Sequence, residues 1–173
     1  MAPTVIRSFP LAYHIILHTY GSWLPGDPRG WHRRGDGTTN VPRPGVEALR
    51  AASRELQRDP SIALTEPMIA LILDSIESTS RSRGWTLHSA AAVSSHFRAV
   101  VGAPTLGVTI LQELRDDSAR LLSACGLRDP SARFWSEGGY FRTVHTSTQL
   151  QRAVEYVNRH RPLPSGRGRR PTT

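Results

Sequence analysis

Lysine is missing from this chain: all 22 basic residues among its 173 are arginine, set against 14 acidic residues for a formal charge of +8. An excess made only of arginine favours a nucleic-acid partner, because the guanidinium fork binds phosphate in two-point fashion and stacks on bases. Codon usage in a GC-rich genome pushes the same way, so the sign of the charge is the firmer signal. Cysteine is nearly absent too. Cys125 stands alone, which excludes an internal disulfide and suits a reducing cytoplasm. No apolar run approaches the roughly 20 residues that span a bilayer, so no membrane partner is expected. The opening residues, MAPTVIRSFP, contain no hydrophobic signal region, which fits a cytoplasmic protein. Internal repeats and heptads are also lacking. The length fits one domain over residues 1–164, with an insertion at about 19–64 and a basic, disordered tail at 165–173.

What is present centres on Trp85–Val101, WTLHSAAAVSSHFRAVV. Two apolar runs flank Ser94-Ser95, the pattern of a tight hairpin. Side chains alternate across a strand, so His96 and Arg98 share one face and Phe97 takes the other. An imidazole and a guanidinium make poor core, since burying them without partners is costly. Taken alone, the stretch reads as an edge strand with a solvated face.

The chain begins with a strand, Leu11–His18, that sets His14, Ile16 and His18 against Tyr13, Ile15 and Leu17. Residues 19–31 are dense in Gly and Pro and form neither helix nor regular strand. Trp23 and Trp31, with Arg29 between them, either stack on unpaired bases or anchor the loop to the domain. His32–Gly45 reads as exposed loop and Val46–Arg58 as a short charged helix. Thr65 and Pro67 open a helix that runs to Ser82 with Ile69, Ile72, Leu73 and Ile76 on one side. After the hairpin comes a helix over Val108–Ala124, with Arg115 and Arg120 facing solvent or a DNA backbone. An aromatic turn then leads to a strand at Tyr140–Val144, and a last helix spans Thr148 to about His160. A hairpin between two helices, with an outer strand on each side, predicts an α+β fold: a ferredoxin-like antiparallel sheet with helices packed on it and a long loop and helix insertion after the first strand. His88 reads as structural and His145 as a solvated turn residue. Tyr140, a rival nucleophile, reads as packing beside Trp135.

In the last helix Tyr156 and His160 are four residues apart and share a face. A phenol beside an imidazole, aimed at a sheet face bearing His96, suits attack on a phosphodiester. A divalent ion would help by polarising the phosphate oxygens. The segments YHIILHTYGSWLPGDPRGW, GWTLHSAAAVSSHFRAVV, FWSEGGYFRTV and AVEYVNRH together resemble the IS200/IS605-like single-tyrosine HUH transposases, including the REP-associated tyrosine transposases. The resemblance covers most of Leu11–Pro162 in order. It implies single-strand DNA cleavage and strand transfer beside a hairpin through a 5′-phosphotyrosine, with Tyr156 as nucleophile. It also implies Mg²⁺ or Mn²⁺ held by His96 and His160, and a chain that is monomeric or homodimeric.

The sequence departs from the family at one decisive place. Arg98 stands where the second His of the motif belongs, and an always-protonated guanidinium offers no lone pair to a metal. Three readings stay open: Arg98 clamps the phosphate itself, His14 or His18 supplies the missing ligand, or the chemistry is lost and a hairpin-binding module remains. Arg167, Arg169 and Arg170 in the tail are further candidate phosphate contacts.

Overall fold

Alternating apolar residues become two strands of one sheet, β1 (Ala12–His18) and β3 (His96–Gly102). The structure, a computed structural model, describes residues 8–31 and 42–160. Between these strands lie α1 (Glu47–Glu55), α2 (Glu66–Ser82) and β2 (Thr86–Val93). After them come α3 (Gly107–Ala124), β4 (Tyr140–Val144) and α4 (Ser147–Asn158). All neighbouring strands are antiparallel, in the order β2-β3-β1-β4. That order, with α2 and α3 as the crossovers, is the expected ferredoxin-like α+β sheet.

One face of the sheet is largely apolar. Tyr13, Ile15 and Leu17 of β1 and Phe97, Ala99 and Val101 of β3 meet Ile72 and Ile76 of α2 and Ile110, Leu114 and Leu122 of α3. Each such side chain stabilises the fold by about 1.5–3 kcal/mol when taken fully out of water. This face is the core, and it leaves the other face free for polar groups. There α4 packs on β2 and β3, with Val157 fully buried among Ala91, Val100 and Val144. The Thr146 hydroxyl caps the start of α4 by accepting from Gln149 N at 3.2 Å. At its far end the Ser89 hydroxyl donates to Asn158 Oδ1 at 2.8 Å. These two contacts and Val157 set the position of Tyr156 over the sheet.

The insertion after β1 is tied to the hairpin turn. Thr19 N and the Ser22 hydroxyl both donate to the carbonyl of Ser95, at 2.9 and 3.0 Å, and Leu64 N donates to that of Ser94 at 2.7 Å. Buried Thr19 also donates from its hydroxyl to the Ile62 carbonyl at 2.7 Å. Both ends of the insertion thus clamp the residues just before His96. Three details add to the pattern reading. Helix α1 buries no side chain, so it contributes charge and length rather than core. Strand β2 carries a bulge at His88, the extra residue between the Leu87–Val101 and Ser89–Val100 pairs. Helix α4 stops at Asn158, and His160 lies in the turn beyond it. The tail at 165–173 lies outside the described residues.

Candidate active site

Strand register sets the polar face as three rows. His96 of β3 stands opposite His18 of β1; Arg98 stands opposite Ile16, which in turn pairs with Tyr140 of β4; Val100 stands opposite His14, which pairs with Arg142. Above the middle of this array, α4 presents Tyr156 and, just past its end, His160. The ring of Tyr156 lies 4.6 Å from that of His160 and 5.9 Å from that of His14, centre to centre. His96 lies 5.0 Å from His18 and 6.3 Å from His160. The Arg98 guanidinium carbon sits over the Tyr156 ring, 4.9 Å from its centre. A cation held against a phenol ring in this way gains up to about 2 kcal/mol when desolvated.

Hydrogen bonds assign the protons. Arg98 Nε donates to His96 Nε2 at 3.0 Å, and arginine can only donate. His96 Nε2 is therefore the lone-pair nitrogen, and Nδ1–H donates to the Ser95 hydroxyl 3.0 Å away. In the same way His160 Nδ1 meets the Tyr156 carbonyl at 2.8 Å, which accepts, so its Nε2 faces outward. Burial first, and the Arg98 charge second, push His96 down to about 3. The same two causes in the same order lower His14 and His18 to about 4. At neutral pH these three imidazoles are uncharged. Arg98 is itself pushed down by burial, and Tyr156 beside it favours its charged form. His14 Nε2 and His18 Nδ1 are buried without a hydrogen-bond partner among the described residues.

This donor set does not fit the divalent ion that the resemblance implies. The lone pair His96 would offer is already taken by Arg98, and the guanidinium beside it repels a cation. No three His, Cys, Asp or Glu side chains converge as metal ligands among the described residues.

No family model matches the sequence, and no curated protein does. Similar solved structures include the following two. One, described as a "putative transposase" from Deinococcus radiodurans, has a TM-score of 0.51 at 16% identity, over 94% of this chain and 100% of that one. The other is a REP-associated tyrosine transposase bound to a REP hairpin, with a TM-score of 0.49 at 10% identity over 91% of this chain and 70% of that one. The fold is transposase-like.

On that transposase-like fold, the expected residues divide sharply. Tyr156, His160, His96 and Arg98 come together, and His14 and His18 join them. Trp23 stands beside the group, its ring 4.7 Å from that of His18, 37% exposed and stacked under Arg29. Trp31 does not. It is buried at 9% exposure with Nε1 donating to the Pro44 carbonyl at 3.0 Å, which makes it an anchor of the insertion. Arg29 is occupied by Asp27, whose carboxylate accepts two bonds of 2.7 Å and is held down at about 2 by that guanidinium. Arg115 lies on α3, behind the opposite face of the sheet, and reaches the Ser136 carbonyl at 3.4 Å. Arg167, Arg169 and Arg170 lie outside the described residues. Tyr140 is 47% exposed on the site face, so the expectation that it packs beside Trp135 is corrected. Sequence reasoning missed Arg142 and Arg152 as site neighbours. Their signals were alternation from Tyr140 and the four-residue step from Arg152 to Tyr156 to His160.

No helix among the described residues is long and apolar enough to cross a membrane.

Proposed function

We propose that this protein acts on single-stranded, hairpin-forming DNA as a transposase-like strand transferase, with Tyr156 as nucleophile and Arg98 in the place of a metal ion. The observation that carries the reading is the Arg98 guanidinium set between His96 and the ring of Tyr156. A guanidinium there does two jobs. It stabilises the phenolate that must form, and it offers N–H donors to the non-bridging oxygens of an incoming phosphate. Tyr156 is 39% exposed, so a backbone can reach it.

In the proposed step the Tyr156 oxygen bonds to phosphorus and the bond from phosphorus to the 3′-oxygen breaks. The phenolic proton passes to an imidazole beside the ring, His160 or His14, and is returned to the leaving 3′-oxygen. The products are a 5′-phosphotyrosine and a free 3′-hydroxyl. Attack of a second 3′-hydroxyl on the phosphotyrosine reverses the chemistry and joins a new strand. With the His96 lone pair taken by Arg98, the proposed step is carried by Arg98, Tyr156 and the imidazoles beside it.

The test is a denaturing gel of the protein incubated with labelled hairpin oligonucleotides carrying single-stranded flanks. A covalent adduct that survives EDTA and disappears in Tyr156→Phe supports the reading. An adduct abolished by EDTA removes Arg98 from the role of electrophile. Arg98 also supports a second reading, a binding module that holds hairpin DNA without cutting it, since its bond to His96 closes the expected metal position. Salt-dependent hairpin binding with no adduct on any flank length would select that reading.

A further inference from the structure

Beyond Tyr156, on the side away from His96 and His160, a cleft of about 520 Å³ opens between β4 and α4. Its size falls within the range of about 300–1,000 Å³ typical of ligand sites. Helix α4 packs on β2 and β3, so this half of the sheet face lies open. Arg142 of β4 and Arg152 of α4 line the cleft, with Arg98 at its inner end and Tyr140 on its wall. No Asp or Glu lines it. On the other side of the sheet three arginines are matched with a carboxylate: Arg81 with Glu77, Arg83 with Glu113, Arg120 with Asp117. Arg142 and Arg152 have no ion-pair partner among the described residues, and both are exposed. Three like charges around one concavity repel each other, and a bound anion relieves that repulsion.

We infer that this cleft is a nucleotide subsite, in which Arg142 and Arg152 hold backbone phosphates flanking the one presented to Tyr156 and the Tyr140 ring carries a base. The inference rests on the strand-transferase reading and adds to it the path of the strand. The ligand class follows from the lining. Guanidiniums suit phosphate, an exposed phenol ring beside them suits a base, and an open-ended groove suits a chain rather than a free small molecule. The strand runs from the imidazole cluster near Trp23, past Arg98 and Tyr156, and along β4.

Fluorescence anisotropy with a labelled hairpin oligonucleotide carrying a single-stranded flank, titrated over a range of salt, tests the subsite. Arg142→Ala/Arg152→Ala should make the slope of log affinity against log salt shallower by about 1.4, at about 0.7 for each single-strand phosphate that the protein no longer neutralises. The control, Arg81→Ala/Arg120→Ala, removes the same charge from the opposite side of the molecule and should leave the slope nearly unchanged. Tyr140→Ala should weaken binding by about tenfold. An abasic flank should show one position at which that loss vanishes, because the base is already gone. Arg142→Gln/Arg152→Gln, which keeps the side-chain stems, should repeat the slope change with an unaltered melting temperature. If both arginine pairs behave alike, the subsite is wrong while the DNA reading stands. If the native protein shows no salt-dependent binding to the oligonucleotide, the reading and the subsite fall together.

Discussion

Arg98 decides what kind of chemistry this face can perform. It fixes the His96 tautomer, helps burial keep three neighbouring imidazoles neutral and faces the Tyr156 ring. Arg98→Ala should lower adduct formation by about 10²–10³, the usual cost of removing one electrophilic donor. Arg98→His frees the His96 lone pair and adds a second, so this variant should acquire Mn²⁺ binding, read by titration calorimetry, that the native protein lacks. Tight Mn²⁺ binding by the native protein would defeat the clamp. The depressed histidines also give a pH dependence of defined sign. The unfolded chain takes up protons near the ordinary imidazole value of about 6.5, whereas folded His14 and His18 wait until about 4 and His96 until about 3. The stabilisation is therefore complete above about pH 6.5 and is lost as pH falls from there through the folded values. Imidazole proton shifts followed by NMR should show His14, His18 and His96 still neutral at pH 5. A phosphate seated on Arg98 should raise their midpoints.

At the level of elements, the two tryptophans of the insertion should separate cleanly. Trp31→Ala removes a buried ring and should cost about 3 kcal/mol in stability, seen as a lower denaturation midpoint. Trp23→Ala should leave the midpoint nearly unchanged and weaken DNA binding by about 1–3 kcal/mol if one base stacks there. Gly139, which leads into β4, has φ +120°, and a Cβ there would come within 2.8 Å of Leu111. Gly139→Ala should lose more than about 1 kcal/mol and shift Tyr140 and Arg142 with it. These elements also mark what could be read from sequence. β1, β3, β4 and α2 followed from alternation, helical period and Pro67, since one buried face per element imposes that pattern. His96, Arg98, Tyr156 and His160 followed because short-range spacing set each pair on one face. The fate of Trp31 and of Arg115 did not. Whether a tryptophan turns inward depends on Pro44, distant in sequence, and whether an arginine on α3 faces the site depends on which side of the sheet that helix covers. The cleft escaped for the same reason, because it is made only when β4 and α4 are set beside each other.

For the molecule as a whole, the distribution of charge matters more than its total. On the side covered by α2 and α3, Arg81, Arg83 and Arg120 are paired with acids, whereas the cleft lined by Arg98, Arg142 and Arg152 beside Tyr156 contains none. Binding to single-stranded DNA should therefore be steeply salt-dependent and confined to one side of the protein. The docking of α4 has a further consequence. Val157 and the Ser89–Asn158 bond seat that helix on the sheet of its own chain, so Tyr156, Arg98 and His96 come from a single polypeptide. Two inactive proteins, one Tyr156→Phe and the other Arg98→Ala, should then fail to rescue each other when mixed, at any ratio. Adduct yield per molecule should stay constant on dilution, and each molecule should hold one severed strand by itself.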